Sequence, residues 1–250
     1  MSQDSLSTHH CDNCSAPLVA KAKFCGSCGA SIKCSKNAGL EKSVYAIIAF
    51  YVAFLVLAIV NNTVFATDYS FTSEVIIEVA FIVITLGFCF LDWRAIIRLY
   101  IIRDIDVKGI LMTLLIPIGS AVVVYYGIDW INEALGEYGD SNMFAEYVAY
   151  ENSLFWAIFF IAILPPIFEE LAFRGFLFNE LRKVSSVQVT IIGTSFLFAL
   201  VHFSLISFIW IFPFGIFLGY LRQRYQTLWL GMIVHFIHNF LVLMLDYYFY

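Results

Sequence analysis

The sequence is poor in charge. Only 13% of its 250 residues are Asp, Glu, Lys or Arg, whereas 61% are hydrophobic and 26 are Phe. A soluble single domain does not need so much apolar surface, so we predict an integral membrane protein. We expect no nucleic-acid partner.

The chain also lacks the pattern of a secretory leader. Residues 1–7 contain no basic start followed by an apolar core, so no cleavable signal is predicted. The first forty residues should therefore stay in the cytosol.

Cysteine is scarce outside the polar segment 1–42, which holds five of the six cysteines. Cys11-x-x-Cys14 and Cys25-x-x-Cys28 form two knuckles in a segment with too few apolar residues for a core of its own. Four thiolates in tetrahedral array around Zn²⁺ would supply the missing folding free energy. We therefore predict a structural zinc ribbon over residues 1–38. The alternative, two disulfides, conflicts with a cytosolic location.

A closed four-cysteine site has no open coordination position, so this zinc is predicted to be structural and not catalytic. His9 and His10 could substitute as ligands, and Cys34 is interpreted as a spare thiol. The segment resembles small zinc ribbons at the ends of bacterial membrane proteins, which implies that it docks a protein partner.

From Ser43 onward, the chain consists of long apolar runs. Seven of them approach the roughly 20 residues needed to cross a bilayer. They lie at about 43–61, 74–91, 109–127, 152–178, 187–204, 205–221 and 228–246. A basic and apolar stretch at 93–107 suits a helix in the membrane interface, although counting it as a span would give eight. The predicted fold is an all-α polytopic membrane helical bundle with an N-terminal four-cysteine zinc ribbon.

Lys and Arg are missing from two connections, 62–73 and 128–151. All 14 basic residues lie before the first span or near the alternate connections. Because Lys and Arg are retained on the cytoplasmic side of short loops, seven spans place the N-terminus inside and Tyr250 outside the plasma membrane. An inserted eighth span would break this agreement.

Against this apolar background, the last third of the chain carries three polar motifs. They are Glu169-Glu170-x-x-x-Arg174, Phe198-x-x-x-His202 and His235-x-x-x-Asn239. Ionisable groups in a membrane span are costly and rare unless they are paired, hydrated or functional. Their clustering predicts chemistry inside the bilayer.

Helical spacing separates the roles of the two glutamates. Glu170 and Arg174 stand at i and i+4, so the arginine can neutralise that carboxylate. Glu169 is rotated by about 100° around the helix axis from Glu170, so it cannot easily share the hydrogen bonds of Arg174. It is the freer carboxylate and therefore the candidate base. Counting helical rise from the basic anchors puts all three motifs at similar depth. Pro165-Pro166 is expected to kink the fourth span.

A carboxylate and two imidazoles in a buried, partly hydrated cavity can bind and deprotonate a water. Glu169 would be the general base. His202 and His235 would position the water or ligate a second Zn²⁺, and Asn239 could donate a hydrogen bond to the oxyanion. The predicted reaction is peptide-bond hydrolysis.

The three motifs, extended to Gly175 in the first and back to Ser195 in the second, resemble those of the CAAX protease and bacteriocin-processing (CPBP) family of intramembrane metalloproteases. The resemblance covers about residues 150–245. It implies a membrane endopeptidase that processes CAAX proteins or bacteriocin-like peptides, or acts in bacteriocin self-immunity. It also implies that Glu169 is the catalytic glutamate. By the same resemblance, the remaining site residues are Glu170, Arg174, His202, His235 and Asn239.

Whether such a site needs a metal or acts as a glutamate peptidase is left open by these residues. The domains predicted are the ribbon, N-terminal transmembrane helices at 43–127 and a protease core at 150–250. The expected partner is a membrane protein or a lipidated or peptide substrate.

Two other functions are compatible with the sequence. A non-catalytic immunity or scaffold protein could keep the fold and bind a partner through the ribbon. A small transporter that uses the Glu and His side chains as a proton relay is the weaker alternative, because the sequence has no internal repeat. Four further features are given no catalytic role: Glu78, Asp246, His238 and Gly215-x-x-x-Gly219, the last predicted to allow close helix packing.

Overall fold

The structure, a computed structural model, describes residues 10–11, 13–18, 24–29, 36–65, 70–102, 104–135 and 142–249. Within these ranges the chain is helical, apart from turns, loops and one isolated bridge between His10 and Pro17. The helices are α1 (Lys36–Val60), α2 (Phe71–Leu91), α3 (Trp93–Arg98), α4 (Val107–Leu135), α5 (Ser153–Val184), α6 (Val187–Leu200), α7 (Leu205–Tyr225) and α8 (Trp229–Tyr248). The prediction of an all-α fold is confirmed.

Six of these helices, α1, α2, α4, α5, α7 and α8, are long and apolar enough to cross a membrane. The remaining predicted run, the fifth at 187–204, is the apolar helix α6, which has 14 residues. At 1.5 Å per residue it is about 21 Å long, shorter than the roughly 30 Å hydrocarbon core. Helix α3 has six residues, so the predicted interfacial stretch supplies no eighth span among the described residues.

Helix α5 is 32 residues long and runs unbroken to Val184. Two parts of it, Ile158–Ile163 and Glu170–Leu177, are π-helical. Pro165 and Pro166 occupy the first turn of the α-helical segment between them. A proline is tolerated there because the N–H of a first-turn residue has no partner in that segment. The sequence predicted a kink at this point, and the structure shows that a π-helical turn precedes the prolines.

Aromatic rings connect the first helix to the polar motifs. The Phe50 ring on α1 lies 5.6 Å from the Phe173 ring on α5, which lies 5.2 Å from Phe198 on α6. All three side chains are buried. Edge-to-face contacts of this kind add to the packing of apolar side chains. They hold α5 and α6 together at the depth of the glutamates.

Small residues bring α6 and α7 close together. A Cβ on Gly215 would fall 3.0 Å from the Cβ of Ser195, and one on Gly219 would fall 3.2 Å from Ile191 Cγ2. This geometry agrees with the predicted packing role of the glycine pair.

Helix α8 is fixed to α4 by a 2.9 Å hydrogen bond between His238 Nδ1 and Ser120 Oγ.

Candidate functional site

The polar motifs meet where α5 changes from an α-helical to a π-helical segment. Glu169 is the last residue of the α-helical part and Glu170 the first of the π-helical part. Short π-helical stretches inside α-helices occur often at functional sites. Here the transition falls between the two adjacent carboxylates.

Glu170 and Arg174 form a buried ion pair. Arg174 Nη1 donates to Glu170 Oε1 at 2.8 Å, and both side chains are at most 1% exposed. The other amino group, Arg174 Nη2, donates to the Gly215 carbonyl at 3.1 Å, and the guanidinium lies 4.3 Å from the centre of the Phe198 ring. The pair predicted from i, i+4 spacing is therefore present, and three helices hold it.

Gly231 on α8 makes room for the Glu170 carboxylate. A Cβ at this position would lie 2.5 Å from Glu170 Oε2 and 3.3 Å from Cδ. The missing side chain lets the α8 backbone approach the ion pair. This requirement escaped the sequence interpretation, since it depends on a contact between residues 61 positions apart.

His235 stands between the two glutamates. Its Nε2 lies 3.7 Å from Glu169 Oε2, and its Nδ1 lies 3.7 Å from Glu170 Oε1. The ring is buried against Phe214 and Phe198, with centroids 5.6 and 6.0 Å away. Both separations from the carboxylates exceed hydrogen-bond length, and a water beside either pair could contact both of its atoms.

Glu169 is the more accessible of the two carboxylates. Its side chain is 18% exposed, whereas that of Glu170 is 1% exposed. Arg174 pairs with Glu170, whereas the Glu169 carboxylate lies 3.7 Å from the His235 imidazole. A carboxylate in this position can accept a proton from a water that also contacts His235.

Some hydrogen-bonding capacity in the site is unused by the described residues. Glu170 Oε2, Arg174 Nε and His235 Nδ1 are buried and have no hydrogen-bond partner in the described part of the chain. Buried polar atoms are usually satisfied by protein or water. These atoms are therefore available to a water or to a polar group of a substrate.

His202 also packs against the Phe198 ring. It belongs to the exposed turn between α6 and α7, its ring is 5.1 Å from that of Phe198, and its Nδ1 lies 2.8 Å from the Phe198 carbonyl oxygen. Phe198 thus contacts both histidines of the predicted site. Among the described residues, one group of three or more His, Cys, Asp or Glu side chains has its ligand atoms within 4.8 Å of one another, and that group consists of cysteines. His202, Glu169 and His235 do not form such a group. His202 would have to move to share a metal with Glu169 and His235.

Asn239 faces the π-helical part of α5. Its Nδ2 donates to the Ile161 carbonyl at 2.9 Å. Pro165 and Pro166 occupy the positions four and five residues after Ile161, and neither has an N–H to give. The Asn239 amide satisfies a carbonyl that the two prolines leave without a helical partner. Among the described residues, the bond to Ile161 is the hydrogen bond that this amide makes, so its second hydrogen is the one that could donate to an oxyanion.

A third acid approaches the site from α2. The Glu78 carboxylate interacts electrostatically with Glu169 and with Glu74, one turn away on the same helix. The sequence gave Glu78 no partner, because the packing of α2 against α5 could not be read from either helix alone. Asp246, also without a predicted partner, accepts the Met143 N–H at 2.8 Å.

The four predicted zinc ligands come together near the N-terminus. The sulfur atoms of Cys11, Cys14, Cys25 and Cys28 all lie within 4.8 Å of one another. Two cross pairs, Cys11 with Cys28 and Cys14 with Cys25, are 3.7 and 3.6 Å apart. A disulfide needs about 2.05 Å, whereas Zn–S bonds of about 2.3 Å in a tetrahedron give S···S separations of about 3.8 Å. The cluster fits a metal ion and not a pair of disulfides.

Local backbone geometry supports this cluster. Gly29 has a φ of +71° directly after the second knuckle, a conformation that glycine adopts without strain. The Gly29 N–H donates to the Cys25 carbonyl, and the Ser15 N–H donates to that of Cys11. His10 is exposed, and His9 and Cys34 lie outside the described residues.

Comparison with known proteins agrees with the geometry. Residues 151–241 match the family model of the type II CAAX prenyl endopeptidases, described as Rce1-like. The matched segment contains all three polar motifs, and this relationship is consistent with the CPBP resemblance. Comparison with curated proteins gave no match. The helices and the family together indicate a multi-pass membrane protein related to intramembrane proteases.

Proposed function

We propose that this chain, whose residues 151–241 resemble type II CAAX prenyl endopeptidases, hydrolyses a peptide bond inside the membrane with a water activated by Glu169. The observation that supports this is the 3.7 Å separation of Glu169 Oε2 from His235 Nε2, beside an already neutralised Glu170. One carboxylate is thereby kept accessible and, among the described residues, forms no ion pair with a lysine or arginine.

In the proposed reaction, the water contacts both Glu169 and His235 from beside the pair. Glu169 accepts its proton as the hydroxyl oxygen attacks the scissile carbonyl, and a tetrahedral oxyanion forms. The proton then passes from Glu169 to the leaving amine as the C–N bond breaks. The second amide hydrogen of Asn239 is the donor proposed for the oxyanion. His202, whose Nδ1–H donates to the Phe198 carbonyl, would position the water or ligate a metal through Nε2.

Glu170 and Arg174 have a positioning role in this proposal. Their ion pair links α5 to the Gly215 carbonyl of α7, and the same Glu170 carboxylate borders His235. The pair thus fixes the His235 ring relative to Glu169. A metal held by His202 and His235 would polarise the same water, and the donors His235 and Glu169 suit such an ion.

The finer assignments follow the same family resemblance. The substrate is proposed to be a lipidated CAAX-type protein or a bacteriocin-like peptide, and the cellular role to include bacteriocin self-immunity. The four-cysteine cluster is proposed to hold structural zinc and to dock a protein partner. The N-terminus is proposed to face the cytoplasm and the C-terminus the outside of the plasma membrane, because Lys and Arg lie on alternate connections when the short helix α6 is counted as a seventh crossing beside the six long helices.

The test replaces Glu169 by glutamine, which keeps the shape and removes the base. Membranes from cells expressing the wild type, Glu169→Gln or the control Glu151→Gln are compared by labelling newly formed peptide termini in membrane proteins. Glu151 is an exposed acid outside the site. We expect the wild type and the control to produce the same new termini, and Glu169→Gln to produce at least 100-fold fewer of them.

Equal termini in all three membranes would contradict the proposal and favour a non-catalytic scaffold. Thermal unfolding of the purified Glu169→Gln protein must stay within a few degrees of the wild type. This control separates lost chemistry from lost folding.

A further inference from the structure

A cavity lies away from the proposed active site, at the basic ends of α5 and α7. Its volume is ≈ 430 Å³. Six of the polar residues that line it are Asp92, Arg98, Asn179, Arg182, Lys183 and Arg222. Four of these six residues are cationic and one is acidic.

Arg222 is the buried cation of this cavity, at 5% exposure. Its Nε donates to the Arg174 carbonyl at 3.0 Å, and its Nη2 donates to Asn179 Oδ1 at 2.8 Å. Its Nη1 donates to Gln226 Oε1 at 3.2 Å. All three acceptors are neutral, so the guanidinium is hydrogen-bonded without its charge being compensated. A buried charge is costly unless an opposite charge is near.

The one acid in the lining already forms an ion pair with a lysine of the same lining. Asp92 Oδ2 lies 3.0 Å from Lys183 Nζ, which also contacts Glu180. In the described part of the chain, no carboxylate oxygen lies within 4.0 Å of the Arg98, Arg182 or Arg222 guanidinium. The cavity thus presents three guanidinium groups that no carboxylate neutralises.

The cavity lies at the level where lipid headgroups are expected. The membrane helices α5 and α7 end at Val184 and Tyr225, beside it. Close by, the exposed indole of Trp229 donates from Nε1 to the Tyr100 carbonyl at 3.0 Å, and the two rings pack edge to face. Trp and Tyr at the ends of spans mark the membrane–water interface.

We propose that this cavity binds the phosphate group of an anionic phospholipid. Arginines bind phosphate oxygens through two parallel N–H donors, and basic pockets between membrane helices are typical sites for anionic headgroups. The phosphate supplies the negative charge that would compensate the buried Arg222 guanidinium. The lipid is favoured over free phosphate because its acyl chains would extend along the lipid-facing ends of the helices. The inference is independent of the proposed protease activity, because its test reads binding and not cleavage.

The test measures the Tm of the full chain in detergent, titrated with short-chain phosphatidylglycerol, short-chain phosphatidylcholine or inorganic phosphate. The cavity variant is Arg98→Gln/Arg182→Gln, which leaves Arg222 in place. Arg98 is exposed and Arg182 is half-buried, so the variant should fold. The matched control, Arg94→Gln/Lys108→Gln, also removes two charges on the basic side but lies outside the cavity.

We expect phosphatidylglycerol to raise the Tm of the wild type and the control by about 5 °C at a hundredfold excess over its Kd. The cavity variant should lose most of this shift, and phosphatidylcholine should give little in any protein. An equal shift in the cavity variant would overturn the proposed site. A shift with inorganic phosphate as large as that with phosphatidylglycerol would overturn the lipid as its source.

Discussion

Asn239 on α8 donates from Nδ2 to the Ile161 carbonyl on α5 at 2.9 Å. The acceptor is the one carbonyl that Pro165 and Pro166 together deprive of an i+4 and an i+5 donor. In hydrocarbon no bulk water can replace that donor. The contact fixes α8, and with it His235 one turn earlier, to the segment that carries Glu169.

Replacing Asn239 by alanine should therefore destabilise the fold as well as reduce activity. The unsatisfied Ile161 carbonyl is expected to cost about 1–3 kcal/mol in the free energy of unfolding. Thermal or denaturant unfolding in detergent measures this loss. If Asn239→Ala unfolds like the wild type while cleavage is lost, Asn239 acts on the reaction and not on the fold.

A methyl group on Gly231 should disrupt the buried ion pair. The Gly231→Ala Cβ would lie 2.5 Å from Glu170 Oε2, so the carboxylate must turn away from Arg174. We expect a lower Tm and at least a tenfold loss of cleavage, measured on the same protein preparation.

The matched control for that substitution is Gly87→Ala. Gly87 is also in a membrane helix, and nothing lies within 4 Å of a Cβ built on it. The control should be as stable as the wild type or slightly more so, because alanine favours helix over glycine. Equal behaviour of the two alanine variants would contradict the steric argument.

Much of this architecture can be read from the sequence because it depends on local spacing. Hydropathy located the membrane helices, although the fifth run proved shorter than predicted. The i, i+4 relation of Glu170 and Arg174 predicted a contact that the structure shows at 2.8 Å. The two C-x-x-C knuckles likewise predicted the sulfur cluster.

The rest depends on contacts between distant segments or on helix ends. The predicted span 187–204 ends at Leu200, because Phe203 adopts a φ of +51° and Ser204 caps α7 by accepting the Ser207 N–H. That turn places His202 outside a helix. The spacing Ser-x-x-Ser could have indicated the cap, whereas the approach of Gly231 to Glu170 has no local signal.

The Glu170–Arg174 pair can be tested with a double-mutant cycle. Glu170→Gln leaves a buried cation, and Arg174→Gln leaves a buried anion, so each single change should cost about 3–5 kcal/mol in the free energy of unfolding. The double variant should lose clearly less than the sum, since no uncompensated charge remains. Additive losses would show that the two side chains act separately, through Gly231 and Gly215.

Asp106 should give stability a measurable dependence on acid pH. The Tyr225 hydroxyl and then the Gly109 N–H donate to its carboxylate, at 2.7 and 2.8 Å, and these bonds lower the pKa of Asp106 below its ordinary value. The ionised form is favoured in the folded state, so its stabilisation is complete above the unfolded pKa of about 3.9. It is lost as the pH falls through the lower folded pKa.

We therefore expect the Tm of the wild type to fall more between pH 5 and pH 3 than that of Asp106→Asn. Thermal unfolding of both proteins in the same detergent measures the difference. Parallel curves would show that the Tyr225 and Gly109 hydrogen bonds do not distinguish the ionised carboxylate.

Metal content should separate the two sites at which an ion is proposed. The full chain should bind one zinc through the cluster of Cys11, Cys14, Cys25 and Cys28. Replacing these four cysteines by serine should remove the zinc, because a serine hydroxyl does not supply the thiolate that zinc requires. The measurement is the zinc content of the purified protein. If the serine variant keeps one equivalent, and His235→Ala in that background loses it, the water beside Glu169 is metal-bound. If the serine variant keeps none yet still cleaves, Glu169 and His235 activate the water directly, from a position beside their 3.7 Å contact at which both side chains reach it.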